Sequence, residues 1–261
     1  MVKNFFKRFY IGIILLFLYA PIIILIILSF NKSKSRAKWG GFTLKWYAEL
    51  FQNDDIMRAL YTTLILAFVS ALIATIIGTA GAFAINAMKK TPRVIMLGIT
   101  NIPMLNADIV TGISLMLLFV ALRFSLGFTS VLLAHITFNI PYVLLSVMPK
   151  LKQLNPNTFE AAQDLGASPF YAFFKVILPD IFPGIISGYF LAFTMSLDDF
   201  VITYFTKGPE INTLSTKIYT EVRKGIKPEI YALSTIMFTA ILLLLIIANR
   251  KSGEKNIPLR K

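Results

Sequence analysis

Residues Glu160 to Pro179 read EAAQDLGASPFYAFFKVILP, and long apolar runs lie on both sides of them. The stretch predicts a short amphipathic helix, a break and a second short helix. Glu160, Ala161 and Ala162 favour helix. Gly166 interrupts it, Ser168 has the side chain to cap a new helix, and Pro169 suits a first helical position. Pro179 is expected to block further helix in register. A helical elbow over residues 157–179, set between two membrane spans, is built to be gripped by something outside the membrane.

The flanking composition fixes the class. Hydrophobic residues make up 56% of the 261 positions, charged residues 15%, and the mean hydropathy is +0.71. A soluble globule does not have this balance, and charge-free runs of about 20 residues read as spans. The expectation is all-α: one polytopic membrane domain over 1–261 with six transmembrane helices near 9–30, 61–88, 94–122, 126–147, 181–205 and 229–249. The absence of cysteine excludes disulfides, thiolate metal sites and cysteine nucleophiles. A net charge of +13 raises nucleic acid as a partner. The basic residues are scattered between spans, however, so anionic lipid headgroups are the simpler partner and no nucleic acid is expected.

Basic tails precede Phe9 and follow Asn249, and Pro21 is expected to kink the first span. In the polar connection over 31–60, Trp46 and Tyr47 suit an interfacial anchor. Trp46 also suits a cation–π platform at the mouth of a pathway. Ala74, Gly78, Gly81 and Ala82 give the second span a face that lets helices approach closely. Pro103, Asn106 and Asp108 make the third span irregular, arguing for a broken helix that lines a cavity. His135, the one histidine, has no second ligand at metal spacing and suits a hydrogen-bonded packing role; no metal site is expected.

An ionisable group at membrane depth costs about 2.5–3.5 kcal/mol and marks a pathway or a pair. The deep candidates are Asp108, Asp198 and Asp199. No Lys or Arg lies well inside a span to neutralise them, so within the chain the carboxylates are expected to lack partners. A cationic substrate is then the economical one. On a continuous helix Asp198 and Asp199 point about 100° apart. Asp198 shares a polar stripe with Ser187 and Thr194 and is preferred for the pathway; Asp199 suits a cap or a local hydrogen bond. The competing reading puts all three acids at wetted span ends.

Glu160-Ala161-Ala162, then Gly166, then Val176-Ile177-Leu178-Pro179 resembles the EAA loop of the membrane subunits of binding-protein-dependent ABC importers. Val176 stands where that pattern has Ile. Asp164 to Ser168 and Ser196 to Phe200 are similar to the C-type permeases of spermidine/putrescine importers, and the resemblance covers roughly 9–249. It implies a type I importer permease with six spans in the cell membrane and both termini cytoplasmic. It also implies a second, homologous permease, a dimer of ATP-binding subunits, and an extracytoplasmic polyamine-binding protein. The elbow would enter a cleft of one ATPase through Glu160, Ala161, Ala162, Asp164, Gly166 and Pro179, with Phe170 and Phe173 as further contacts. Asp108, Asp198, Asp199 and Trp46 would serve the polyamine pathway. The chain has no phosphate-binding G-x-x-x-x-G-K-[ST] run, so ATP would be bound and hydrolysed by partners, and this subunit is not itself an enzyme and carries no cofactor. An importer for sulfate, phosphonate or an iron-chelate, and an ion-coupled secondary transporter, are the competing readings.

Overall fold

The structure, a computed structural model, describes residues 2–35, 37–155 and 157–253. Arg36, Pro156 and the end of the basic tail expected over Arg250 to Lys261 lie outside the described residues, as do the side chains of Lys3, Lys7 and Arg8. Helix dominates, and the one extended pairing among the described residues is an antiparallel bridge between Asn31 and Phe42. The chain divides into two compact units, Met1–Met57 with Ile218–Lys261, and Arg58–Lys217.

In the first unit, α1 (Val2–Ser29) runs helical through Pro21. Its large apolar side chains from Phe9 to Leu18 are exposed, as a lipid-facing surface requires. The connection after it is ordered around Asn31, whose Oδ1 accepts from the Ser33 and Gly40 amides while its Nδ2 donates to the Lys38 carbonyl. It contains a short helix, α2 (Lys45–Gln52). α3 (Asp54–Ala87) begins seven residues before the expected span. Asn53 Oδ1 accepts from the Ile56 amide, and Asp54 and Asp55 oppose the positive end of the helix, so helix formation starts ahead of the apolar run.

The second unit carries most of the fold. α4 (Lys90–Leu105) and α5 (Asp108–Ala121) together cover the third expected span, bent by 102° at Asn106–Ala107. α6 (Phe128–Gln153) follows, six residues longer than its apolar run at the end carrying Lys150 and Lys152. The elbow comes next, as α7 (Asn157–Asp164) and α8 (Pro169–Ala172). Gly166 between them has φ +88°, a conformation other residues rarely adopt. Ser168 Oγ accepts from the Tyr171 amide and Pro169 fills the first position, both as read.

Pro179 is a correction. A π-helical turn, Phe173–Ile177, joins α8 to α9 (Leu178–Asp198), and Pro179 falls in the first turn of α9, so helix continues from Pro169 to Asp198. The wider π-turn absorbs the donor and the space that a proline denies its preceding turn. The fifth span is corrected too. It breaks after Asp198, with Asp199 extended, and resumes as α10 (Val201–Thr206). α11 (Leu214–Lys224) leads back toward α12 (Pro228–Gly253), which packs against α1 and α2 in the first unit. Four helices among the described residues are long and apolar enough to cross a membrane, or five if α4–α5 counts as one span. α12 covers the remaining expected segment.

Small residues set how closely the second unit packs. A Cβ on Gly78 of α3 would lie 2.8 Å from Val143 Cβ of α6, and one on Gly188 of α9 would lie 3.2 Å from Val143 Cα. Val143 is thus clasped from two sides with no exposed surface, and Ala71, Ala74 and Ala82 are buried in the same cluster. Gly78→Ala should destabilise the purified protein by about 1–3 kcal/mol through overpacking. Gly98→Ala in α4, where a Cβ meets nothing within 4 Å, should be neutral or better. Thermal unfolding of the two variants side by side checks the contrast.

Candidate functional site

Two helix breaks meet at one cleft in the second unit. Asp108 stands in the first turn of α5, just after the α4–α5 bend. Asp198, the last residue of α9, and Asp199 stand at the α9–α10 break. All three line a cleft of about 230 Å³ with Phe138 and Tyr142 of α6, Met195, Phe200, Val201 and Ile202. α5 packs on α10 closely because Gly112 presents no side chain there; its Cβ would lie 3.4 Å from Ile202 Cα. Sequence separation hides this meeting of residues 108 and 198.

The lining carries carboxylates and aromatic faces and no Lys or Arg. Asp108 and Asp198 are exposed, and neither has a hydrogen bond or ion pair among the described residues. The carbonyl end of α9 adds negative potential beside Asp198. Phe138 and Tyr142 stack edge to face at 6.4 Å. Such a lining attracts cations, and its aromatic walls suit alkyl chains and ammonium groups.

Asp199 corrects the expectation that none of the carboxylates has a partner. Its side chain is only 8% exposed and lies 3.3 Å from Nε2 of His135, which is wholly buried. Its oxygens also accept from the Ile202 amide at 3.2 Å and from the amide and hydroxyl of Thr203, both at 2.7 Å. Asp199 therefore caps α10, and of these two lining carboxylates Asp198 alone is uncommitted. The expected 100° divergence of the pair is replaced by a backbone break with the same outcome. His135 sits in a hydrogen-bonded cluster, with Nδ1 2.5 Å from Ser196 Oγ and Nε2 2.9 Å from Thr203 Oγ1.

The sequence reading missed Phe138 and Tyr142 as walls. Their spacing from His135, three and seven residues on, puts all three on one face of α6 and was the available signal. Trp46 lies in the first unit, 4% exposed, with its indole N–H donating to the Asn31 carbonyl at 2.7 Å and Lys45 Nζ 5.7 Å from its ring centre. It packs as an internal support and is not among the residues lining the acidic cleft.

On the elbow, Glu160, Ala161, Asp164, Gly166 and Pro179 are exposed and Ala162 is half-buried. Large apolar groups stand out among them: Leu165 is 90% exposed, Phe170 75%, Tyr171 58% and Phe174 48%. Phe173 instead turns inward onto Phe83, with ring centres 5.1 Å apart. The elbow thus presents a polar edge and an apolar face together.

Comparison with known proteins accords with this architecture. The spermidine/putrescine transport system permease protein PotC of Escherichia coli (strain K12) is 41% identical over 239 residues, covering 92% of this chain and 90% of the relative. The putrescine transport system permease protein PotI of the same strain is 41% identical over 233 residues, covering 86% of this chain and 83% of the relative. Among solved structures, a bacterial ABC transporter involved in the import of the acidic polysaccharide alginate matches with a TM-score of 0.72 at 20% identity, covering 98% of this chain and 96% of that one. The fold is therefore that of an ABC importer permease. Residues 75–251 match the model of one family, and the chain belongs to it: the binding-protein-dependent transport system inner membrane components.

Proposed function

We propose that this chain is the membrane-spanning permease subunit of an ATP-driven importer for polyamines, spermidine or putrescine. The observation that carries the reading is the convergence of Asp108 and Asp198, both without partners among the described residues, on one aromatic-walled cleft. A polyamine offers two or three ammonium groups along an alkyl chain, which matches separated carboxylates with apolar walls between them. The two Escherichia coli relatives, named for spermidine/putrescine and putrescine transport, support the same substrate class. An oxyanion would meet three carboxylates and no cation in this lining, which disfavours the anion importer.

The remaining parts follow from the same reading. With six spans both termini lie on one side of the membrane, and an elbow that meets an ATPase makes that side the cytoplasm. A dimer of ATP-binding subunits grips the exposed residues Glu160, Ala161, Asp164, Leu165 and Phe170, and Gly166 permits the sharp turn between α7 and α8. Because helix is continuous from Pro169 to Asp198, a push on α8 is delivered along α9 to the acidic break. A second permease supplies the opposite wall, and an extracytoplasmic binding protein delivers the substrate.

Two outcomes follow. In assembled complexes Asp108→Asn and Asp198→Asn should each lower spermidine uptake about tenfold or more, the loss of one charge-assisted contact, while ATP hydrolysis persists. Undiminished uptake in both variants would remove the cleft from the pathway. Phe170→Asp should leave the subunit folded, because that side chain is 75% exposed. It should reduce co-purification of the ATPase about tenfold by putting a charge into the buried contact.

A further inference from the structure

The α9–α10 break needs something to hold it. Where Asp199 leaves the helix (φ −61°, ψ +128°), the two half-helices are joined through that one extended residue and Phe200. Ser196 lies one turn before the break and Thr203 one turn after it. Both hydroxyls meet the same imidazole, at 2.5 Å and 2.9 Å.

Counting protons gives the cluster a direction. The Thr203 hydroxyl donates its one proton to Asp199 Oδ2, so its oxygen accepts from His135 Nε2–H. In the neutral ring Nδ1 then accepts from Ser196, whose oxygen can in turn accept from Ser70 of α3 at 3.0 Å. One chain of donors therefore runs from α3 through α9, α6 and α10 to a carboxylate. Ser70, His135 and Thr203 have no exposed surface and Ser196 has 2%. In such surroundings a missing partner leaves a buried polar group unsatisfied.

We propose that His135 is a positioning residue that staples both sides of the α9–α10 break to α6 and thereby fixes Asp198 on the cleft wall. His135 is not among the cleft-lining residues, so it acts through Asp199 and Thr203 on the neighbouring Asp198. The inference rests on the cleft being the pathway, but the labelling arm of its test does not depend on the substrate.

The chain contains no cysteine, so Asp198→Cys gives this subunit a single thiol, and labelling of the subunit's own band by a water-soluble maleimide, in membranes holding the whole complex, reports that position. Gln at 135 reaches the Nε2 position and can donate to Thr203, whereas Asn stops near Nδ1 and leaves the Thr203 oxygen without its donor. In the Asp198→Cys background, His135→Asn and Thr203→Val should each change the labelling rate about fivefold or more, with His135→Gln and Thr203→Ser close to the parent. In the native-Asp198 chain the same order should appear in maximal spermidine uptake. Equal labelling in all four variants would overturn the proposal. If the His135 variants do not accumulate, Thr203→Val against Thr203→Ser decides it alone. Labelling in the expected order without any polyamine uptake would uphold the staple and sink the substrate assignment.

Discussion

Hydrocarbon offers no water to a backbone or side chain that loses its partner, and each unsatisfied group there costs several kcal/mol. Among the described residues, spanning helix is interrupted at Asn106–Ala107 and at Asp199–Phe200. The second interruption is held by side-chain hydrogen bonds on both sides. Asp199 takes the amides of Ile202 and Thr203, and His135 takes the hydroxyls on either side. Satisfying the break internally is what leaves Asp198, one residue earlier, uncommitted. Two adjacent carboxylates thus divide into a structural one and an available one.

The mechanical layout follows from α6. Val143 is pinched between Gly78 and Gly188, and His135, Phe138 and Tyr142 project from the same helix toward the break and the cleft. α9 is tied to that axis at one end by Ser196 and reaches the exposed elbow at the other without losing helix. A rigid rod between an exposed elbow and an acidic break can transmit displacement because its interior is already close-packed. The π-turn at Phe173–Ile177 is the one irregular point along it, and such turns concentrate where function bends a helix.

Local chemistry was legible in the sequence; long-range pairing was not. Ser168, Pro169 and Gly166 each specify a backbone state through their own covalent structure, and the structure has those states. Pro103 and Asn106 announced the broken third span for the same reason. The break at Asp199 carries no Gly or Pro; the capping role of Asp199 was legible locally, but its contact with His135, 64 positions away, was not. Pro179 misled in the opposite direction, since a preceding π-turn makes room for it. Trp46 has the composition of a surface platform, but the Asn31 carbonyl claims its N–H and buries it. Asp54 marked where helix begins, while the charge-free run marked only where lipid begins.

The central claim is that a cation passes between Asp108 and Asp198 while the elbow is held by an ATPase. A cryo-EM density map of the whole complex, purified from its own membrane with spermidine present, tests it most directly. The account predicts elongated density with its ends on those two carboxylates and Phe170 buried against an ATP-binding subunit. Density lodged elsewhere, with the elbow standing clear of any partner, would contradict it.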